Sequence, residues 1–313
     1  CEKDINLFWV SQQDYHFVLH ESHRGIRSPE TIDRLTIPIH EMKRDDTQFI
    51  HDTVTKIDTN GNEIQLKNTG DISYDYLVIG LGSQPDFSHI EGLERHATGI
   101  RSPEDVKKIH EKVRHTAQTS SHSDLGKVVV AGLGLRAVQI AGEIAALREE
   151  LRAPIEITVI GQESELLPTE DGELRGAIRH RLQGRDIRIM SGISYEKVTE
   201  DEIIFANGEL LEYDCLIWAD NIKGQDVTES VDIYQQDRSH RLFASSTLET
   251  NVTGVFSLGD TALIEIEDGM YAPPTAKAAW SAAEVAGKNV IRSINDQRLL
   301  EWQYSDEGLL ITI

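Results

Sequence analysis

The sequence predicts an α/β fold built on parallel strands, and two observations lead to this expectation. Short runs rich in β-branched residues alternate along the chain with helical segments, which is the order of a βαβ architecture. One strand also runs directly into a glycine turn and a helix, over residues 127–151, and another strand follows at 155–161. A chain of 313 residues is long enough for two domains with separate cores.

Composition and periodicity place the individual elements. Strands are expected at 5–10, 74–81, 127–133, 155–161, 186–192, 201–208, 213–219 and 254–260. Helices are expected at 103–118, 136–151, 172–184 and 275–294. The helix at 136–151 repeats small apolar residues at helical spacing, which predicts that this face packs on a sheet. The turn at 58–64 lies between short apolar segments and predicts a β-hairpin.

Charge, apolar runs and cysteine content limit the classes of partner and the cell compartment that the sequence suits. The formal charge is −22, which disfavours nucleic acid and opposes unaided docking on an anionic membrane. No apolar run approaches the roughly 18–20 residues that span a bilayer, and the first residues do not resemble a signal peptide. Cys1 and Cys215 cannot form a disulfide framework, so a cytoplasmic protein is expected. His16, His20 and His23 have no nearby cysteine, and no metal site is predicted from them.

The glycine turn predicts a site for a dinucleotide. Gly132 permits a tight turn, Gly134 lets the backbone approach a pyrophosphate, and Ala137 is small enough for the helix to pack on the strand. The helix that follows offers free N–H groups and a positive dipole end to phosphates. The alternative is a glycine turn in a doubly wound sheet that binds nothing.

The predicted nucleotide site lacks one expected residue. The second strand of such a unit usually ends in an acidic residue that holds the adenine ribose. Here Gly161 occupies that place, and Glu163 follows two residues later as the candidate ribose contact. No arginine comes immediately after the strand to favour a 2′-phosphate, so the choice between NADH and NADPH stays open.

Two further signals lie near the end of the chain. The apolar run at 254–260 ends in Gly259 and Asp260, and an acidic residue there suits either a cofactor hydroxyl or the cap of a helix starting at Thr261. The second is APPTAKAA (272–279), where Pro273 and Pro274 predict a helix start. The small residues after them suit either a flat ring or close helix packing.

Taken in order, these segments resemble the type II NADH dehydrogenases, which belong to the pyridine nucleotide-disulfide oxidoreductase superfamily with the sulfide:quinone oxidoreductases. The resemblance covers nearly the whole chain. It is carried by DYHF (14–17), HESHRGIRSPETIDRLTIPIHEM (20–42), YDYLVIGLGSQPDFSHIEGLERHA (74–97), VVVAGLGLRAVQIAGEI (128–144), ESELLP (163–168), CLIWAD (215–220), GVFSLGD (254–260), APPTAKAA (272–279) and WQYSDEGLLITI (302–313).

The resemblance implies two Rossmann-like, glutathione-reductase-like dinucleotide-binding domains, with the NAD(P) domain inserted in the FAD domain. The FAD domain is expected at 1–103 and 226–297 without its first βα unit, the NAD(P) domain at 104–225, and the start of a C-terminal segment at 298–313. The implied reaction passes a hydride from NADH or NADPH to FAD and electrons to a small acceptor such as a quinone. The implied FAD contacts are Ser11, Gly82, Ser83, Gly259, Asp260, Thr275 and Ala276. Those for NAD(P) are Gly132, Gly134, Ala137 and Glu163, with Gln139 near the nicotinamide.

The chain departs from the family pattern at several of these positions. Ser11 stands where an acid for the FAD ribose is expected, and Gln139 replaces the usual helix glutamate. Lys277 and Ser281 replace two glutamines linked to flavin and quinone contact. The family's first GxGxxG is expected before residue 1, and its membrane-contacting segment after residue 313, so at most peripheral contact with the cytoplasmic face of a membrane is predicted.

Two other functions and the oligomeric state stay open from the sequence. A sulfide:quinone-like enzyme or a reductase for a redox protein would need a reactive cysteine pair, which Cys1 and Cys215 do not clearly supply. A flavin- or nucleotide-binding sensor with little turnover would fit the lost acidic residues. A homodimer is compatible with the sequence, which does not specify one.

Overall fold

The computed structural model describes residues 5–235, 239–267 and 269–305, which form two compact units. Unit 1 contains described residues 5–16, 37–84 and 222–305, and unit 2 contains residues 17–36 and 85–221. The predicted FAD domain included residues 17–36 and 85–103, whereas these belong to unit 2, and residues 222–225 belong to unit 1. Residues 306–313 of the predicted C-terminal segment lie outside the described residues.

Short strands and eight helices of four or more residues make up the described chain. The strands are β1 (Leu7–Ser11), β2 (Tyr15–Phe17), β3 (Thr36–Pro38), β4 (Thr47–His51), β5 (Val54–Asp58), β6 (Glu63–Leu66), β7 (Ile72–Ser73), β8 (Leu77–Ile79), β9 (Gln84–Pro85), β10 (Thr98–Gly99), β11 (Gly126–Ala131), β12 (Ile155–Ile160), β13 (Ile187–Met190), β14 (Tyr195–Val198), β15 (Glu202–Phe205), β16 (Leu210–Glu212), β17 (Cys215–Trp218), β18 (Ile222–Lys223), β19 (Leu242–Ala244), β20 (Val255–Ser257), β21 (Ala262–Glu267) and β22 (Met270–Tyr271). The helices are α1 (Arg24–Arg27), α2 (Ile32–Leu35), α3 (Ile39–Met42), α4 (Leu93–His96), α5 (Pro103–Thr119), α6 (Leu135–Leu151), α7 (Gly172–Gln183) and α8 (Ala276–Ile294).

Unit 2 is a doubly wound parallel sheet of five strands in the order β10-β17-β11-β12-β13. Its central strands are buried on both faces, which is why they are nearly continuous β-branched runs. The small apolar face of α6 is buried as predicted, with Val138, Ala141, Ile144 and Ala145 fully enclosed. The strands β12 and β13 follow on one side of β11, and the later strand β17 pairs with its other side. Strand order therefore reverses at β11, which is the place where ligands bind in such sheets.

A second layer of unit 2 covers the other face of this sheet. The strands β14, β15 and β16 form an antiparallel sheet. Phe205, Tyr213 and Trp218 pack there in one buried cluster with Tyr195 against it. The long helix α5 begins with a complete capping box, in which the Ser102 hydroxyl and the Asp105 carboxylate each accept a backbone N–H of the other residue.

Unit 1 contains three parallel strand pairs, β1 with β4, β8 with β20 and β19 with β21. The predicted hairpin is confirmed as β5 and β6, and Asp58 accepts the backbone N–H groups of Asn60 and Gly61 in its turn. The carboxylate of Asp52, just after β4, accepts five hydrogen bonds that tie Thr53, Asn68 and Thr69 together. The strands β19 and β21 form a three-stranded sheet with β22, and α8 packs on the turn before β21.

The structure corrects one reading of Asp260. A helix starting at Thr261 was one of the two alternatives for this residue. Instead Gly259–Thr261 is a single 3₁₀ turn, and the next six residues form the strand β21. Asp260 therefore does not cap a helix. None of the helices in the described part of the chain is long and apolar enough to cross a membrane.

Candidate functional site

The turn between β11 and α6 requires glycine at its first position. Gly132 has a φ of +130°, and its N–H donates to the Ile160 carbonyl oxygen at 2.6 Å. A Cβ at Gly132 would lie 2.8 Å from the Ala219 carbonyl oxygen and 3.1 Å from the Asp220 nitrogen. The turn therefore packs directly against the backbone that follows β17, at the point where strand order reverses.

The start of α6 is open for a ligand. Gly134 is the N-cap residue, no side chain caps it, and a Cβ there would meet nothing within 4 Å. Ala137 is completely buried against the sheet. A helix N-terminus with uncapped N–H groups and an open approach can bind a phosphate. The predicted candidates Gly132, Gly134 and Ala137 thus come together in one turn, with Gln139 half-buried on the second turn of the helix.

The structure shows why the usual acidic residue is absent at the end of β12. A Cβ at Gly161 would lie 2.6 Å from Leu133 Cγ and 3.0 Å from Glu163 Oε2. Any side chain at position 161 would collide with the buried Leu133. Glu163 itself turns towards Gly161, and its Oε2 is buried without a hydrogen-bond partner. Its predicted role as a ribose contact stays a prediction.

A group of residues that the sequence analysis did not single out lies at the same sheet edge. Asp220 follows β17, and burial first, then the charge of Glu163, raises its pKa to about 6. Tyr195 packs edge-on against Trp218 at 5.6 Å, and its hydroxyl donates to the Ile160 carbonyl oxygen at 3.1 Å. Burial, with Asp220 and Glu163, holds the Tyr195 pKa above its usual range. The available signal was an acidic residue ending the apolar run CLIWAD.

In unit 1, four predicted FAD residues meet at the ends of β8 and β20. The Ser83 hydroxyl donates to Asp260 Oδ2 at 2.8 Å, and the Thr261 hydroxyl donates to the Gly82 carbonyl oxygen at 2.9 Å. Gly82 and Gly259 have left-handed φ angles of +69° and +65°, and a Cβ at Gly82 would meet nothing within 4 Å. Two hydrogen bonds therefore join the turn after β8 to the turn after β20, and the space next to the Gly82 Cα is open.

Arg241 holds the backbone of the Asp260 turn through two hydrogen bonds, and no motif in the sequence pointed to this residue. Arg241 donates from Nε to the Asp260 carbonyl oxygen at 2.8 Å and from Nη2 to the Ala262 carbonyl oxygen at 2.7 Å. Burial lowers the pKa of Arg241 below its usual range, against the raising effect of the Asp260 charge. The guanidinium fixes the backbone of the turn that presents the Asp260 carboxylate.

The other FAD candidates lie on separate elements of unit 1. Thr275 is the N-cap of α8, where its hydroxyl accepts the Ala278 N–H at 3.3 Å, and Ala276 is the first helical residue. A Cβ at Gly259 would lie 3.4 Å from Ala279 Cβ, so this end of α8 adjoins the Asp260 turn. Ser11 ends β1, and its hydroxyl accepts the Gln13 N–H at 3.2 Å. The structure gives no contact of Ser11 with the Asp260 turn.

Sequence comparison decides the family. The profile of the family described as pyridine nucleotide-disulphide oxidoreductase matches residues 14–283. The chain belongs to this family. Membership confirms the predicted resemblance and, with the parallel sheet of unit 2, the predicted α/β fold class.

Individual relatives of this family member are distant in sequence. The type II NADH:quinone oxidoreductase of Haemophilus influenzae is 22% identical over 270 residues, covering 77% of this chain and 61% of the relative. The Staphylococcus saprophyticus protein of the same name is 24% identical, covering 100% of this chain and 81% of the relative. The chain therefore spans less than two thirds of the Haemophilus protein.

Solved structures agree on the fold. NDH2 from Plasmodium falciparum, solved with NADH, matches 83% of this chain and 60% of its own, with a TM-score of 0.74 and 17% identity. The sulfide:quinone oxidoreductase of Aquifex aeolicus matches 92% and 71%, with a TM-score of 0.79 and 17% identity. At such identities the similarity shows the family's fold.

Cysteine and histidine residues provide neither a reactive thiol nor a metal site in the described part of the chain. Cys215 is buried, and burial raises the pKa of its thiol to about 12, so it is not a reactive thiolate. Cys1 lies outside the described residues. No cluster of three or more His, Cys, Asp or Glu side chains able to hold a metal ion occurs in residues 5–235, 239–267 and 269–305.

Proposed function

We propose that this chain is an FAD-dependent dehydrogenase that takes a hydride from NADH or NADPH and passes electrons to a quinone or similar small acceptor. The single observation that carries the proposal is the Gly132–Gly134 turn, with its required glycine, uncapped helix and position where strand order reverses. The printed names of the relatives support it. NADH:quinone oxidoreductase is the name of both bacterial proteins, and NADH is present in the Plasmodium structure.

The residues of unit 2 fit a pyridine nucleotide. The N–H groups at the start of α6 would hold the pyrophosphate, and Gly134 leaves the space for it. Ala137 lets the helix approach the sheet closely enough for this contact. Gln139 would offer a neutral hydrogen-bonding group to the nicotinamide, and Glu163 would reach the ribose only after its buried Oε2 turns away from Gly161.

The residues of unit 1 fit the ribityl and phosphate part of FAD. Asp260 would accept hydrogen bonds from the cofactor's hydroxyls, and the buried Ser83 hydroxyl orients its carboxylate. The open space above Gly82 and the first turn of α8 at Thr275 and Ala276 would receive the rest of the group. FAD, when bound, supplies the redox chemistry of accepting a hydride and releasing electrons.

The test is a visible spectrum of the full gene product, followed by anaerobic addition of NADH or NADPH. A flavin band that bleaches with one of the nucleotides and returns with a quinone supports the proposal. Asp260→Ala should lower the flavin content, whereas the exposed Asp46→Ala in the same unit should not. A colourless product from the full gene would refute the flavoenzyme.

A second candidate is a flavin- or nucleotide-binding sensor with little turnover. The specific observation in its favour is that Glu163 Oε2 is buried and turned towards Gly161, which leaves the ribose without an acidic contact. In the same spectral test, a yellow protein that neither nucleotide bleaches would favour the sensor. The sulfide:quinone-like alternative receives no support from the buried Cys215.

The predicted setting of the protein is also a proposal. A cytoplasmic location is supported by the low cysteine content, two residues in 313. Peripheral contact with the membrane face would follow from the quinone acceptor. Cell fractionation of the tagged gene product, with and without a high-salt wash, measures both points.

A further inference from the structure

Three buried polar atoms without a hydrogen-bond partner lie in the group at the sheet edge of unit 2. They are Asp220 Oδ2, Glu163 Oε2 and Trp218 Nε1. Trp218 is 3% exposed, so its N–H has no access to bulk water. Leaving such atoms unpaired is costly, and an unpaired carboxylate oxygen in a buried place favours the protonated carboxyl.

Asp220 is also in direct contact with the nucleotide turn. The Gly132 Cβ position lies 3.1 Å from the Asp220 backbone nitrogen, so the turn and the residue share one contact surface. This contact follows from strand register, because Ala131 at the end of β11 pairs with Trp218 at the end of β17. The backbone of Asp220 therefore lies against the turn that leads into the uncapped start of α6, where a pyrophosphate would bind.

Besides burial, the groups that act on the pKa of the Asp220 carboxyl are the Glu163 carboxylate and the Asn221 backbone. From the loop after β12 the charge of Glu163 opposes ionisation, and from β14 the neutral Tyr195 phenol faces both carboxyls. The backbone N–H of Asn221 favours ionisation, though less than burial and Glu163 oppose it. On the turn itself, residues 132–137 include the cation Arg136. Burial and the Glu163 charge together raise the pKa of the Asp220 carboxyl to about 6.

We propose that Asp220 is a proton-linked positioning residue of the nucleotide site, so that a dinucleotide binds at the Gly132 turn together with a proton on the Asp220 carboxyl. The inference rests on the proposed function, because it takes the Gly132 turn as the nucleotide site. A dinucleotide brings negative charge to the turn and opposes a second negative charge beside it. By linkage, protonation strengthens nucleotide binding, and nucleotide binding raises the affinity of Asp220 for the proton by the same factor.

The experiment measures ADP-ribose binding by calorimetry between pH 5.5 and 8, because this probe keeps the pyrophosphate and is stable in acid. Repeating each titration in two buffers of different ionisation enthalpy gives the number of protons taken up. The expected results are an affinity about tenfold higher at pH 5.5 than at pH 8 and uptake of about half a proton at pH 6.5.

Three variants separate linkage from a merely structural role. Asp220→Asn should abolish the proton uptake and make the affinity independent of pH. Glu163→Gln should move the affinity profile to lower pH, because the like charge that opposes ionisation of Asp220 is removed. Glu165→Gln is the matched control, since this exposed carboxylate pairs with Arg175 and loses the same unit of charge. Its profile should match the unmodified chain.

Proton uptake that persists unchanged in Asp220→Asn would overturn the inference, and so would an affinity that does not vary with pH in the unmodified chain. Carbon-13 NMR titration of the Asp220 carboxyl without nucleotide separates this failure from failure of the proposed function. A carboxyl that titrates near pH 6 in a chain that binds no ADP-ribose refutes the nucleotide site and the linkage together. Binding without proton uptake refutes the linkage alone.

Discussion

Replacing Gly132 by alanine should destabilise unit 2, because the backbone there excludes any side chain. The added Cβ would lie 2.8 Å from the Ala219 carbonyl oxygen, and the φ of +130° is one that alanine rarely adopts. Strained backbone alone costs about 1–3 kcal/mol, and the close approach to a backbone atom adds to it. We expect a loss of about 3 kcal/mol in the free energy of unfolding.

The matched control is Gly134→Ala in the same turn. A Cβ at Gly134 meets nothing within 4 Å, and the φ of −80° is ordinary for alanine. This variant should lose less than about 1 kcal/mol, through the poorer N-cap alone, while its methyl group obstructs the pyrophosphate. Urea unfolding measures the stabilities, and ADP-ribose titration measures the affinity. A Gly132→Ala chain as stable as Gly134→Ala would refute the steric reasoning.

Three further results are expected. Burial lowers the His23 pKa to about 4, so as pH falls below 6.5 the unfolded chain binds a proton before the folded chain does. The free energy of unfolding, measured with urea, should therefore fall by about 3 kcal/mol between pH 7 and 4. This fall should be smaller in His23→Gln and unchanged in the control His40→Gln, whose side chain is exposed. Cys215 should react with a thiol reagent at pH 8 only after denaturant is added, because burial raises its pKa to about 12. The measurement uses Cys1→Ser, so that Cys215 is the one thiol of the sequence, and rapid reaction without denaturant would contradict the expectation. Ser83→Ala removes the hydrogen bond to Asp260 and should weaken FAD binding by about tenfold, measured by flavin fluorescence, whereas unchanged affinity would exclude an orienting role.

The elements that the sequence predicted best are those buried on both faces. The strands β11, β12 and β17 are within a few residues of their expected positions, because a parallel sheet between two layers requires long apolar, β-branched runs. The helices α5 to α8 also begin and end close to prediction, helped by clear signals such as the Ser102–Pro103 start. A buried element can therefore be recognised from its own residues, without knowing which elements pack against it.

Several strands with exposed residues were not predicted. The last three residues of β21 are exposed, and β4, β14 and β16 contain charged or polar residues typical of loops. The division into units was also beyond the sequence, because position along the chain does not say which core a segment joins. Ile26, Ile32 and Ile100 pack in the core around α5 and α6 of unit 2.

The candidate site was predictable where one local segment forms it. The Gly132 turn, Ala137 and the helix start are continuous in sequence, so their spacing alone was informative. The contact of Asp220 with the turn depends on the register of β17 beside β11, across more than 80 residues, and Arg241 reaches the Asp260 turn from 19 residues earlier in the chain. Such long-range neighbours leave no periodic signal in a single sequence.

The glycine at position 161 is best understood together with Leu133, and this pairing can be tested by a double-mutant cycle. Leu133 is completely buried, and its side chain fills the space that a Cβ at position 161 would need, at 2.6 Å. Leu133→Ala should cost about 2–5 kcal/mol as a cavity, and Gly161→Ala should cost free energy through the collision. In the double variant the new methyl group enters the vacated space.

The double variant should therefore lose less stability than the two single variants together, by about 1–2 kcal/mol in urea unfolding. Ala137→Gly combined with Gly161→Ala is the comparison, because no contact of these two positions contributes to the collision, and their losses should simply add. If the Leu133 and Gly161 losses add as well, a side chain at 161 is excluded by something other than Leu133. If they couple, the bulky Leu133 in the turn is the physical reason that the ribose acid cannot stand at the end of β12.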